Sequence, residues 1–211
     1  PTLSQATHLF TVTATDGVGN KSSASKALSV TINTTPPNKP VITTKATLTN
    51  NSKPSLAGTA QAGSTISILD GTSVIGTAVV TTSGSWTFTP TTSLTDGDHN
   101  ISVVAKDLAG NLSSVSDSVK ISIDTVAPVA PIITTPNQTL NITKPTINGF
   151  AEANSAVTVL DGTTTLGTVN AGSDGSWSFT PSVGLTSSQH KITAYSTDLA
   201  GNKSPASALT T

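Results

Sequence analysis

The chain contains no cysteine and no methionine, and its ten basic residues are all lysine. With no thiol there is no disulfide and nothing to misoxidise, a composition that suits a secreted bacterial surface protein better than an intracellular enzyme. Aromatic residues make up 3% of the 211 positions and charged residues 10%, with a net charge of −1. Nucleic-acid binding calls for a basic stripe interleaved with aromatics, and the sequence has neither. No apolar run approaches the 18 residues of a membrane span, and no signal peptide is visible. The chain is nonetheless too apolar and too weakly charged for a disordered tail.

Serine, threonine, asparagine, valine and isoleucine fill the space left by these absences. β-Branched residues favour pleated, half-buried surfaces, so the composition points to β-structure with polar, uncharged faces.

An internal repeat organises the chain. The segments "TDGVGNKS", "KDLAGNLS" and "TDLAGNKS" place Asp16, Asp107 and Asp198 at a constant spacing of 91 residues (107 − 16 and 198 − 107). Trp86 and Trp177 keep that offset, as do "LDGT" at 69–72 and 160–163, "GSW" at 84–86 and 175–177, and Pro90 and Pro181. The Pro-rich stretches "NTTPPNKP" and "DTVAPVAP" break alternating strands and mark linkers. The expected organisation is a fragment at 1–34 holding the last two strands of a unit, a domain at 35–124 and a further domain at 125–211. Two strands cannot cover their own apolar face, so the fragment is expected to be disordered, to need a partner chain, or to be a cut piece of its unit.

Seven strand candidates, A to G, fit into 35–124: "PVITT", "PSLAGTA", "STISILD", "GTAVVTT", "SWTFTP", "HNISVVAKD" and "SVSDSVKISID". Period-2 alternation is plain at Ile66 and Ile68, at Trp86 and Phe88, at Ile101, Val103 and Ala105, and at Val119, Ile121 and Ile123. Seven short strands with frequent turn signals and no helical pattern predict an all-β fold, tandem immunoglobulin-like sandwiches in an elongated array.

Units of this length carrying "DGSW", a strand ending in "DLAGN" and an "IDTVAP" linker resemble the bacterial Ig-like repeats of giant adhesins. These are the biofilm-associated proteins and the adhesins exported by type I secretion. The resemblance implies an extracellular stalk at the bacterial surface, often stiffened by calcium between domains.

The acids allow a separate deduction. If successive strands alternate direction, the B–C, D–E and F–G loops share one end of each sandwich. Glu152, Asp174 and Asp198 fall in those three loops of the last domain, and Asp124 ends the strand entering the same end. Carboxylates with no lysine among them repel one another unless a cation binds. Asp124, Glu152, Asp198, Asp174 and Asn202 are the oxygen donors expected to hold Ca²⁺, which accepts 6–8 oxygens in forgiving geometry. Asp174 is the weaker member, because Ser83 stands at its counterpart. At the preceding junction Asn33, Gln61 and Asp107 occupy the equivalent places, so a single acid predicts weaker binding there. Against a metal stands hairpin chemistry: Asp bonds its own backbone, and Gly supplies a positive φ.

Trp86 and Trp177 are expected to anchor cores, Asp70 and Asp161 to serve "LDG" turns, and Asp96 and Asp98 to flank a local turn at Gly97. Tyr195 is expected to be an exposed aromatic. His8 and His99 open strand F, with His190 within one position of the same point. No nucleophile elbow or metal-hydrolase histidine pair occurs, so no enzyme is expected. The favoured function is an adhesin spacer that projects a distal binding region, monomeric, with neighbouring repeats as its partners and a host surface or biofilm matrix beyond. The alternatives are a module binding a host glycan or glycoprotein, or an accessory module of a secreted enzyme.

Overall fold

A computed structural model describes residues 2–210. It is built of strands and turns alone. Its residues sort into two compact units, Pro1–Lys45 with Ser55–Thr89 and Asn100–Val119, and Ala46–Pro54 with Pro90–His99 and Lys120–Thr211.

In the first unit, β1 (Thr7–Phe10) and β2 (Leu28–Thr31) form an antiparallel ribbon, with His8 opposite Val30 and Phe10 opposite Leu28. The fragment is thus an ordered pair of strands rather than a disordered tail, although Leu9, Val12 and Leu28 stay more than 60% exposed. β3 (Val41–Ile42), β5 (Leu56–Thr59) and β8 (Ser85–Phe88) form one three-stranded sheet. β6 (Thr65–Asp70) lies between β7 (Ser73–Val79) and the C-terminal part of β9 (Gly97–Lys106). The Phe88 ring lies directly over Gly76 of β7, where a Cβ would collide with it. Leu56, Ile66, Ile68, Trp86, Val103 and Ala105 are fully or almost fully buried, as their alternation requires.

The second unit holds β4 (Thr47–Thr49) and β10 (Val119–Ile123), which pair in parallel from Thr47 with Ile121 to Thr49 with Ile123. Sequence pattern gives no sign of β4, because its Thr-Leu-Thr is too short to alternate. Asp98 accepts from Lys120 and Ser122, and Asp96 from the backbone and hydroxyl of Thr125. These two acids therefore tie down the strand leading into the linker; Gly97 opens β9 rather than a turn.

β11 (Ile132–Ile133), β12 (Ile147–Phe150) and β15 (Ser176–Phe179) form one sheet of the last repeat. β14 (Thr164–Asn170), β13 (Ala156–Asp161) and β16 (Ile192–Thr197) form the other. Ile147, Val157, Val159, Trp177, Phe179, Ile192 and Ala194 from both sheets share one core. Both tryptophans are buried, as expected of core anchors. The β13–β14 hairpin shifts register between Val159 and Leu160, and β6–β7 does the same between Ile68 and Leu69, so even the bulge repeats.

Candidate functional site

Strand register fixes which loops meet. Ala156, the first residue of β13, pairs with Asn170 at the end of β14 and with Thr197 at the end of β16. The loops carrying Glu152, Asp174 and Asp198 therefore leave the same end of that sheet. Asp124 joins them through its backbone, whose carbonyl accepts from Asn202 Nδ2 at 2.8 Å.

Each acid has partners of its own. Asp198 Oδ1 accepts from the backbone N–H of Gly201 (2.7 Å) and Asn202 (2.8 Å), and Oδ2 from Asn202 Nδ2 (2.8 Å). Asp174 Oδ1 accepts from the backbone and hydroxyl of Ser176, and Asp124 Oδ1 from Val126 N–H. At Glu152 it is the backbone carbonyl that is used, accepting from Ser155. Among the described residues no group of three or more His, Cys, Asp or Glu side chains converges as a metal site would. The Asn202 amide nitrogen bridges Asp198 Oδ2 and the Asp124 carbonyl. To serve as a ligand, Asn202 would have to turn its oxygen inward and give up both hydrogen bonds.

The same arrangement occurs in the first unit. Asp107 Oδ1 accepts from the backbone N–H groups of Ala109 and Asn111, both at 2.9 Å. Its Oδ2 accepts from Asn111 Nδ2 and from Asn33 Nδ2, also at 2.9 Å. Asn111 Nδ2 also donates to the Asn33 carbonyl at 3.0 Å. Asn33, Gln61 and Asp107 line one cavity of about 430 Å³. Asp16 and Asn20 repeat the turn itself: Oδ1 takes Val18 and Asn20 N–H, and Oδ2 takes Asn20 Nδ2.

Asp-x-x-Gly-Asn is therefore a clasp. The Asp closes the turn on its own backbone, Gly supplies φ of +92°, +96° and +98° in the three copies, and the Asn amide reaches back to the Asp. In the second and third copies the amide also grips the carbonyl of the last residue before the linker. The donors hold the carboxyls below their ordinary range. For Asp107 and Asp16 the Asn side chain is the main cause. For Asp198 partial burial pulls the other way and is outweighed by Asn202 and the backbone donors.

The sequence reading missed two serines that follow each clasp. Ser113 Oγ accepts from Ala105 N–H and Ser116 Oγ from Val103 N–H; Ser204 and Ser207 do the same for Ser196 and Ala194. Ser22 and Ser25 serve Ala14 and Val12. These hydroxyls satisfy backbone N–H groups, two of them buried in each of the last two repeats. Their signal was the constant spacing of six and nine residues after the Asp.

The family model for the bacterial Ig-like domain matches residues 42–125 and again 133–211. The chain belongs to the bacterial Ig-like domain family. Among solved structures, the fibronectin(III)-like modules of Clostridium thermocellum CbhA resemble it with a TM-score of 0.52 at 14% identity, over 79% of this chain and 90% of that one. A biofilm-associated protein BSP domain aligns at 21% identity and a TM-score of 0.33, over 82% of this chain but 28% of its own. No curated protein matches. Within these Ig-like repeats the histidines fall into place: His8, His99 and His190 lie 91 residues apart, on the same point of the repeat rather than one position off. Each donates through Nε2 to the carbonyl four residues earlier, on Ser4, Thr95 and Thr186. Tyr195 is half-buried, with Lys203 Nζ 3.4 Å from its ring centroid, so it is capped rather than free.

At His190, Asp161 Oδ2 stands 2.6 Å from Nδ1. With a carbonyl before one ring nitrogen and a carboxylate before the other, both must carry protons. The Thr186 carbonyl and then Asp161 accordingly raise the His190 pKa above 6.5. Burial pushes Asp161 upward, but His190 and Lys191 N–H prevail and keep it below 3.8. The Asp161 contribution is present above its unfolded pKa and lost as pH falls through the folded one. The His190 contribution is complete below 6.5 and lost as pH rises through its folded value. Urea midpoints of the last repeat should therefore be flat between pH 4 and 6.5 and decline above it, and His190→Gln should remove that alkaline decline.

Proposed function

We propose that this chain is a spacer segment of a large, exported bacterial surface adhesin, whose repeats carry a distal binding region. The observation that carries the proposal is the repeated clasp: Asp107 with Asn111 on Asn33, and Asp198 with Asn202 on Asp124. Both fasten a turn of one repeat to the chain that enters it, as a series of domains held under tension requires. Family membership in two consecutive copies supports it. A recognition module would set aromatic and arginine anchors in its loops. These loops are small, polar and duplicated, and the chain has no arginine. Glycan arrays and host-cell binding with the full chain test the proposal; saturable binding would replace it with a direct recognition role.

Asp198→Ala removes the carboxylate acceptor of the Gly201 and Asn202 N–H groups and one of the two acceptors of the Asn202 amide, and should lower stability by about 1–3 kcal/mol. Limited proteolysis should then cut within 124–131 faster than in the parent chain, while Asp174→Ala leaves that rate unchanged.

A second proposal concerns calcium. It rests on the common end shared by the Glu152, Asp174 and Asp198 loops and on Asp124 beside them. An ion there would rest on those carboxylates and supply charge neutralisation that the amide clasp gives only in part. Calorimetry of the full chain tests it: binding heat that vanishes in both Asp124→Ala and Asp198→Ala supports an ion at this end, and no heat up to millimolar calcium removes it.

A further inference from the structure

β4 has little of its own to hold it. It is three residues long and stands at the edge of its sheet, with β10 as its single neighbour. Parallel pairing is slightly the less stable kind, and Leu48 stays 42% exposed. The Asp124 N–H donates to the Thr49 carbonyl at 3.0 Å. With Thr49 opposite Ile123, that bond puts the bonding groups of Thr47 and Thr49 on the β10 side and those of Leu48 on the other.

The residue after β4 supplies a further hold. Asn50 N–H donates to the Ala200 carbonyl at 3.1 Å. The Asn50 side chain lies against Gly201, where an added Cβ would meet its Nδ2 at 3.6 Å. Ala200 and Gly201 belong to the clasp turn, which also reaches Asp124 through Asn202 Nδ2, 2.8 Å from its carbonyl. These three hydrogen bonds close a ring. Asp124 gives its N–H to Thr49 and offers its carbonyl to Asn202. The chain runs back from Asn202 to Ala200, which accepts from Asn50, the neighbour of Thr49. Every member of the ring lies in the second unit.

We propose that the clasp turn of the last repeat is a latch on β4. It holds the short strand against β10 from outside the sheet, so the β4–β10 pair and the turn loosen together. This deepens the spacer reading, on which its mechanical purpose rests: load carried by the last repeat reaches β4 and β10 through the ring as well as through the linker.

Amide hydrogen exchange of the full chain, in chelator so that no ion takes part, tests the latch. Asn202→Ala removes the grip on the Asp124 carbonyl and alters neither Thr49 nor the Asp124 N–H. The Asp124 N–H should nonetheless exchange about tenfold faster, as loss of one hydrogen bond from a local opening gives. Val157 and Val159, in the core of the last repeat, should keep the parent rates. Thr49→Pro tests the coupling from the other side, because it deletes the N–H that faces β10. It should speed exchange of the Asn202 side-chain NH₂ by a similar factor, whereas Leu48→Pro should not. If Asn202→Ala loosens Val157 as well, the two proline variants carry the test. An Asp124 N–H that keeps its parent rate in a folded Asn202→Ala chain overturns the latch. So does an Asn202 amide indifferent to Thr49→Pro. Exchange rates do not depend on what the chain binds, so failure of the spacer reading in a glycan array and failure of the latch are read separately.

Discussion

Gly149→Val should unfold the last repeat at markedly lower denaturant, with a loss of about 3 kcal/mol or more. A Cβ at Gly149 would meet the Ile132 carbonyl oxygen and the Trp177 ring well inside contact distance. The carbonyl belongs to the neighbouring strand and cannot rotate away, so the new side chain must part β11 from β12 or expel the indole. Gly58 stands in the same relation to Val41 and Trp86, 91 residues earlier, and Gly58→Val should act alike on its own repeat. Gly162 provides the control. It has a φ of +57° and open space where a Cβ would stand, so Gly162→Asn, a residue at ease in that conformation, should cost less than about 1 kcal/mol. Urea midpoints read by tryptophan fluorescence would separate the three; equal midpoints for Gly149→Val and Gly162→Asn would refute the steric account.

Trp177→Ala should cost about 3–5 kcal/mol, a large share of the roughly 5–10 kcal/mol that holds such a domain together. The indole is 4% exposed and shares its core with Ile147, Val157 and Phe179. No disulfide bolsters that core, because the chain has no cysteine. Trp177 Nε1 is buried without an acceptor, as is Trp86 Nε1. Trp177→Phe therefore discards an unsatisfied polar group along with part of the volume, and should cost clearly less than the alanine change. If phenylalanine and alanine prove equally damaging, the indole N–H has a role that packing does not explain. Gly149→Val combined with Trp177→Ala should be less destabilising than the two losses added, since the cavity accommodates the valine.

Much of the fold could be read from the 91-residue register and the period-2 alternation. Strands carrying large apolar residues on alternate positions, such as β6, β8, β9 and β10, fell where expected. β4 did not, because three residues of Thr-Leu-Thr acquire strand character only from pairing beside β10. The acids show the same division. Their shared end of the sheet follows from strand alternation, which sequence supplies. Whether they face an ion or their own backbone depends on side-chain rotamers and on Asn202, which no spacing rule specifies. The repeated serines were visible as a pattern, yet their use as strand acceptors becomes apparent only when the return segment is seen beside β16. Asp96 and Asp98 looked local because Gly97 lies between them, but their partners are 22 to 29 residues away.

The clasp is tested most directly by following the side-chain NH₂ groups of Asn111 and Asn202 in ¹⁵N spectra of the full chain, first in chelator and then through a calcium titration. A clasp built from protein groups predicts amide protons already protected from exchange in chelator, before any calcium is added. Amides that exchange freely in chelator and become protected only as calcium is added would contradict it, and would make the ion the part that fastens the linker.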